Sequence, residues 1–211
     1  MDLFLELTKN VIIHKNQGFA LYFYLNGQVI EQVSGKVSTD DSDDITYNTN
    51  FRLASVSKQF IAYSIVELIF DNKLNYNTSV LEIFSELPNY FEHITIRNLL
   101  NHTSGIYDYE DMPHSESDKQ IQDIDILDFL KTTTDTYFEA GTKYKYSNTA
   151  YILLGLIVEK VSGMSIVEFI ENNIFKKAYM DDSKVNVEGI TKIKNRAYGH
   201  LLESNKLLVK D

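Results

Sequence analysis

The chain has 211 residues, of which 44% are hydrophobic and 24% charged, and its formal net charge at pH 7 is −10. These proportions are ordinary for a globular protein and exclude fibrous and disordered classes, and the excess of acidic residues leaves no basic footprint for nucleic acid. The absence of cysteine excludes disulfides, thiolate zinc sites and a cysteine nucleophile.

The N-terminal sequence and the apolar stretches argue against export and against a membrane span. Residues 1–7 carry acidic side chains where a secretory signal would need a basic segment. The longest apolar stretches are interrupted by Glu67 and Glu159 and are too short to cross a bilayer. We therefore expect a cytoplasmic protein without a membrane span, unless an export signal has been removed from the chain.

The first part of the chain predicts a helix, a hairpin and a loop. Apolar residues recur every four positions in residues 3–14, which indicates a short amphipathic helix. Two β-prone runs in residues 19–33 flank Asn26-Gly27, the preferred dipeptide of a type I′ turn, and predict a β-hairpin. Residues 38–50 are rich in aspartate but lack the spacing and glycine of an EF-hand, so they predict a solvated loop rather than a cation site.

The remainder predicts helices followed by a ribbon. Residues 55–70 are apolar on most faces, which predicts a buried central helix that ends where Asn72 can adopt the left-handed conformation. Ser165 and Glu168 form a capping box for a helix that continues to Phe175. Strand-forming ends around a helical middle predict an α+β fold. Further helices are expected at 94–101, 125–131 and 149–161, an acidic loop at 107–123 and a β-ribbon at 198–209.

The first candidate for chemistry is Ser55-Val56-Ser57-Lys58, at the start of the helix predicted over 55–70. Residues three apart share a helix face, so the amine of Lys58 lies within reach of the hydroxyl of Ser55. The N-terminal end of a helix also favours negative charge that develops on a hydroxyl. Taken alone, an N-capping serine and a surface lysine explain the pattern as well, because it is expected about once by chance in a chain of this composition.

The second candidate is Tyr146-Ser147-Asn148, directly before the helix predicted at 149–161. Lys143 and Lys145 are its sequence neighbours, and cations nearby would favour the phenolate of Tyr146. A tyrosine two residues before an asparagine is again expected about once by chance, and a second copy falls in the hairpin turn. By itself this motif does not establish a site.

Three extended blocks, found in one order, raise both motifs above chance. They read FRLASVSKQF at 51–60, LLNHTSG at 99–105 and YSNTAYILLG at 146–155. In this order and spacing they resemble the serine β-lactamase and penicillin-binding protein superfamily. The resemblance is strongest to its class C-like branch, which includes esterases and D-amino-acid peptidases, and it extends from Gly18 to the chain end.

The resemblance implies a β-lactamase/transpeptidase-like fold and a covalent acyl-enzyme formed with an ester, amide or β-lactam carbonyl. Ser55 would be the acylated nucleophile and its backbone N–H one oxyanion donor. Lys58 and Tyr146 would exchange protons with it, and either could be the base during acylation. Asn148 would hydrogen-bond the acyl amide of the substrate or Lys58. No cofactor and no metal are implied, the histidines lack zinc-binding spacing, and His102 is assigned to packing of the helix and loop.

One element of the family pattern is absent from the sequence, namely Lys or His followed by Thr, Ser or Gly and then Gly, well after the second motif. Residues 160–163 (KVSG) are one residue too long and fall at a helix end. Because the strand with that motif supplies the second oxyanion donor, we expect the chain to be C-terminally incomplete and to lack the remaining sheet strands. The expected domains are the N-terminal part of the sheet domain with the nucleophile helix at 1–70, a helical domain at 71–180 and a return segment at 181–211.

Three functions stay open at this stage. The chain is an active serine hydrolase for a small-molecule or peptide substrate, a catalytically silent penicillin-binding or peptide-binding sensor module, or an inert fragment of an active parent. Whether the substrate is a β-lactam, a stem peptide or an ester is undecided by the sequence. An N-terminal hairpin without the strands that normally pair with it leaves a sheet edge uncovered, which predicts a homodimer through that edge.

Overall fold

The computed structural model describes residues 18–39, 43–111, 121–187, 189–203 and 206–209. They belong to two units, one formed by Met1–Ala54 with Asp182–Asp211 and the other by Ser55–Asp181. The division into domains at 1–70, 71–180 and 181–211 stays a prediction. The helix expected at 3–14 lies outside the described residues.

The described part of the first unit contains antiparallel β-ribbons. β1 (Phe19–Leu25) pairs with β2 (Gln28–Ser34), and β3 (His200–Glu203) pairs with β4 (Lys206–Val209). Asn26 and Gly27 have positive φ angles of 50° and 80°, as a type I′ turn requires. The hairpin and the C-terminal ribbon predicted from the sequence are therefore confirmed.

A small apolar cluster joins the two chain segments of this unit. Val37, Ile45 and Ala197 are buried together, and Val33 packs against them. Asn50 reinforces the connection, since its N–H donates to the carbonyl of Asn195 at 2.7 Å and its carbonyl accepts from Ala197 N at 2.8 Å. Residues distant in sequence thus form one unit.

The second unit is helical, and its main core lies where α1 (Lys58–Phe70) packs against α5 (Asn148–Ser162). The largest fully buried side chains of these helices include Ile65, Leu68, Leu153 and Ile157. The helices are α1 (Lys58–Phe70), α2 (Val80–Ile83), α3 (Ile96–Leu100), α4 (Asp123–Thr132), α5 (Asn148–Ser162) and α6 (Ile166–Ile170). Single 3₁₀ turns cover Ala54–Ser57, Asn89–His93 and Tyr109–Asp111, and a π-helical turn covers Glu171–Phe175.

The helix ends follow local sequence signals. The hydroxyl of Thr95 accepts from Asn98 N at 3.3 Å at the start of α3, and Ser165 forms its capping box with Glu168 at the start of α6. Gly163 ends α5 in the left-handed conformation, with φ 72°. The capping box predicted at Ser165 and Glu168 is confirmed, and so is the continuation of the helix to Phe175, except that its last turn is π-helical rather than α-helical.

Helix α1 differs from the sequence prediction in its exposure. Ile65 and Leu68 are buried against the core, but Tyr63, Val66 and Phe70 are 52%, 41% and 85% exposed. The expectation that most faces of this helix are buried is therefore wrong. The reason is that the core of the helical unit covers only one face of α1, and apolar sequence alone does not say how many faces a neighbour will cover.

The α+β fold class is confirmed, with helices in one unit and antiparallel ribbons in the other. Among the described residues, no single helix has the length and apolar character needed to cross a membrane. Asn148–Ser162 and Ile166–Phe175 together meet the same test of length and composition, but they are bent by 81°.

Candidate active site

Ser55 and Lys58 meet at the start of α1. The 3₁₀ turn Ala54–Ser57 leads directly into the helix, so the two side chains lie on one face, with Lys58 Nζ 3.2 Å from Ser55 Oγ. Ser55 is exposed and Lys58 is half-buried. A surface lysine and a capping serine do not describe this geometry, because the hydroxyl of Ser55 accepts a hydrogen bond from the ammonium group.

Tyr146 brings a phenol to the same hydroxyl from a distant part of the chain. Its OH donates to Ser55 Oγ at 2.7 Å, and the Lys58 ammonium lies 4.9 Å from the centre of its ring. Ser55 Oγ therefore has an amine and a phenol as direct neighbours. The structure brings together three residues that the sequence analysis named separately.

Asn148, the first residue of α5, connects this group to an acidic side chain. Its Oδ1 accepts from Lys58 Nζ at 2.7 Å, and its Nδ2 donates to Glu110 Oε1 at 2.8 Å. An ammonium can only donate and a carboxylate can only accept, so the two partners determine the orientation of the amide. In this structure Asn148 therefore contacts Lys58, one of the two partners that the sequence analysis left open.

A buried carboxylate holds the start of α5. Asp108 is 6% exposed, and its Oδ2 accepts from the N–H groups of Asn148 at 2.6 Å and Thr149 at 3.2 Å. These N–H groups have no partner within the helix, and a negative charge at this end is favoured by the helix dipole. The other oxygen of Asp108 accepts from Glu110 N at 3.2 Å. Asp108 thus links the position of Glu110 to that of Asn148.

The sequence analysis missed Asp108 and Glu110. Both fall in the segment 107–123, which it treated as an acidic loop without a site. Asp108 carries the signature of an N-cap, but the helix that it caps begins 40 residues later. A capping pattern can be recognised only when the acid precedes its own helix, so no local signal was available.

The segment before Tyr146 is held by the second sequence block, residues 99–105. The carbonyls of Gly105 and Thr103 accept from Tyr137 N and Gly141 N, each at 2.8 Å. Gly105 has φ 72°, and a Cβ added there would lie 2.1 Å from the carbonyl oxygen of Phe138. A side chain at this position would therefore separate the two segments.

The environment lowers the pKa of Tyr146. Its largest cause is the hydrogen bond with Lys58, followed by that with Ser55, and the charge of Lys58 adds to them, whereas burial and the carboxylate of Glu110 act in the opposite direction. The sequence analysis attributed this effect to Lys143 and Lys145, and that attribution is wrong. Lys145 Nζ turns away to pair with Asp111 at 2.9 Å.

The family model described as Beta-lactamase matches residues 7–206. The chain belongs to the Beta-lactamase family. The resemblance inferred from the three sequence blocks is confirmed.

The chain matches only part of the length of two curated relatives. Penicillin-binding protein 4* of Bacillus subtilis (strain 168) is 38% identical over 161 residues, which are 74% of this chain and 35% of that protein. Protein flp of Staphylococcus aureus (strain MRSA252) is 27% identical over 197 residues, which are 91% of this chain and 39% of that protein. The chain thus spans less than half the length of either relative.

Two solved structures have a fold similar to that of the chain. The D-amino acid amidase from Ochrobactrum anthropi SV3, complexed with D-phenylalanine, is 27% identical with a TM-score of 0.81, and the match covers 97% of this chain and 58% of that one. The octameric penicillin-binding protein homologue from Pyrococcus abyssi is 24% identical with a TM-score of 0.82, and the match covers 99% of this chain and 50% of that one. At this identity the match supports the fold alone. The β-lactamase/transpeptidase-like fold is confirmed, while the roles of Ser55, Lys58, Tyr146 and Asn148 stay predictions.

Proposed function

We propose that this chain is a serine hydrolase that forms a covalent acyl-enzyme on Ser55 with an ester, amide or β-lactam carbonyl. One observation carries the proposal. Both Tyr146 OH and Lys58 Nζ lie within hydrogen-bond distance of Ser55 Oγ, at 2.7 and 3.2 Å. A nucleophile beside a base that is itself oriented by a third group is the arrangement that covalent catalysis requires.

In this proposal Tyr146 is the base and Lys58 is the cation that favours its deprotonated form, in the same direction as the lowered pKa of Tyr146. The phenolate takes the proton of Ser55 as Oγ bonds to the carbonyl carbon and the carbonyl electron pair moves to oxygen. When the intermediate collapses, the bond to the amine or alkoxide breaks and Tyr146 returns its proton to that leaving group. Water then attacks the acyl ester by the same proton exchange and frees Ser55.

Asn148 supports the reaction by orienting Lys58. Its amide oxygen accepts from the ammonium at 2.7 Å, and Glu110 holds the other end of the amide. The backbone N–H of Ser55 is proposed as one oxyanion donor. The sequence contains no third family motif to supply a second donor, and the loss of one donor typically costs about 10²–10³ in kcat.

A fluorophosphonate or a fluorescent penicillin tests the proposal, because either probe labels an activated serine covalently. We expect the chain to be labelled, Ser55→Ala to abolish the labelling, and Tyr146→Phe to slow it by about 10²–10⁴. Ser57→Ala is a matched control, since Ser57 belongs to the same motif but makes no side-chain capping bond. Labelling that persists in Ser55→Ala would refute the nucleophile assignment.

A second candidate is a catalytically silent sensor that binds penicillin or a peptide. This candidate predicts acylation of Ser55 followed by slow turnover. Stoichiometric labelling of Ser55 without steady-state hydrolysis of nitrocefin or p-nitrophenyl esters would support this candidate. The third alternative, an inert fragment, predicts neither labelling nor turnover for the 211-residue chain and both for a longer parent.

A further inference from the structure

His102 contacts Tyr146 and both residues next to it in sequence. Its carbonyl accepts from Lys145 N at 3.0 Å and its Nδ1 accepts from Ser147 N at 3.1 Å. These are the residues directly before and after Tyr146. The imidazole also lies against the Tyr146 ring, with centroids 4.6 Å apart and planes inclined by 32°.

We propose that His102 is a positioning residue that holds the phenol of Tyr146 against Ser55. The proposal rests on the function proposed above, because it assigns His102 to the same acylation step. The sequence analysis assigned His102 only to packing. A packing role requires one apolar contact, whereas His102 accepts hydrogen bonds from the N–H groups of Lys145 and Ser147, the residues before and after Tyr146, and also contacts the Tyr146 ring.

His102 can do this because its own backbone is anchored to α3. Its N–H donates to the carbonyl of Leu99 at 3.2 Å, and the next N–H, that of Thr103, donates to Asn98 at 2.9 Å. The residue has φ 56°, in the left-handed region, which directs the chain back from the helix end. Histidine and asparagine adopt this conformation more readily than most side chains.

The contact with Ser147 also requires one protonation state. Nδ1 accepts a hydrogen bond from Ser147 N, so this nitrogen must carry no proton. A ring that is protonated on both nitrogens cannot make this bond. The charged and titratable groups around the ring are Lys58, Asp108 and the phenols of Tyr144, Tyr146 and Tyr151. Burial and the charge of Lys58 lower the pKa of His102, while Asp108 acts in the opposite direction, so the ring stays neutral at neutral pH.

The pH dependence of acylation distinguishes positioning from packing. Acylation needs Tyr146 deprotonated and His102 unprotonated. A plot of the logarithm of the labelling rate against pH should therefore have a slope of one (one proton) below the pKa of Tyr146. Below the pKa of His102 the slope should increase to two (two protons). A residue that only packs leaves the slope of one proton throughout.

The experiment measures the rate of fluorophosphonate labelling of Ser55 against pH in the 211-residue chain and its variants. His102→Asn keeps an acceptor and the left-handed backbone but does not titrate, so we expect labelling at neutral pH within about tenfold of wild type and the slope of one proton at all pH values. His102→Ala removes the acceptor and the ring, and misplacement of the phenol should slow labelling by about 10²-fold. His93→Asn, in an exposed 3₁₀ turn, is the control and should match wild type.

Thermal unfolding of each variant separates loss of fold from loss of position, and if His102→Ala does not fold, the profile of His102→Asn decides. A wild-type profile with the slope of one proton, or one that His102→Asn reproduces in full, would overturn the positioning role. Neither outcome affects the assignment of Ser55. Labelling that survives Ser55→Ala would instead refute the proposed function, and with it this inference.

Discussion

Replacement of Lys58 by methionine should raise the pKa of Tyr146. The ammonium lies 4.9 Å from the centre of the phenol ring and is the main cause of its lowered pKa. At this separation a unit charge contributes about 1 kcal/mol in water and about 3 kcal/mol at the dielectric constant of a protein surface. Since Tyr146 is 42% exposed, solvent screening favours the lower value, and we expect the pKa of Tyr146 to rise in Lys58→Met.

NMR of isotope-labelled tyrosine measures this pKa directly, with Tyr146→Phe used to assign the signal. Because the phenolate is the reactive form in the proposed mechanism, the rate of Ser55 labelling should rise as the pH passes the pKa of Tyr146, and Lys58→Met should move this rise to higher pH. Lys145→Met is the matched control, as Lys145 precedes Tyr146 in sequence but pairs with Asp111, and it should leave the pKa unchanged. An unchanged pKa in Lys58→Met, or a larger rise in Lys145→Met, would refute the reasoning.

Three further predictions concern the support of the site and the surface of the chain. Asp108→Ala leaves two N–H groups of α5 without their acceptor and should lower the free energy of unfolding by about 2 kcal/mol in urea titrations. A decrease of only about a few tenths of a kcal/mol would contradict the capping role of Asp108. Glu110→Gln keeps an acceptor for Asn148 but removes a charge that raises the pKa of Tyr146, so the rise in labelling rate with pH should move to lower pH. Glu110→Ala removes the acceptor as well and should slow labelling at every pH. Identical pH profiles for the two variants would refute the proposal that Glu110 orients the amide of Asn148. The β1–β2 hairpin exposes Tyr22, Tyr24 and Leu25, and we expect the chain to dimerise through this edge or to be poorly soluble; a clean monomer in sedimentation experiments at micromolar concentration would count against it.

Several features of the fold could be predicted because their signals are local. Asn26-Gly27 specifies its turn through the φ angles of two adjacent residues. Gly163 ends α5, and Ser165 with Glu168 starts α6, through contacts that span at most four residues. In each case the residues that interact are also neighbours in sequence, so the pattern contains the whole interaction.

The approach of Lys58 to Ser55 has the same character, since three residues at the start of a helix separate them. Tyr146 and Asn148 are different, because no rule of spacing connects them to Ser55. They could be named only through the resemblance of three sequence blocks to a known family. Their contact with Ser55 and Lys58 depends on how α5 packs against α1.

The sequence by itself determined the helix and strand signals, the acidic character of the chain and the residue types available to a reactive serine. The tertiary structure alone decided which cation lowers the pKa of Tyr146 and which carboxylates hold Asn148. It also decided that His102 hydrogen-bonds both residues next to Tyr146 in sequence. The physical reason is that charge interactions and hydrogen bonds act over a few ångströms of space, and the groups concerned are separated by 38 to 90 residues of chain. Only folding brings them within that range.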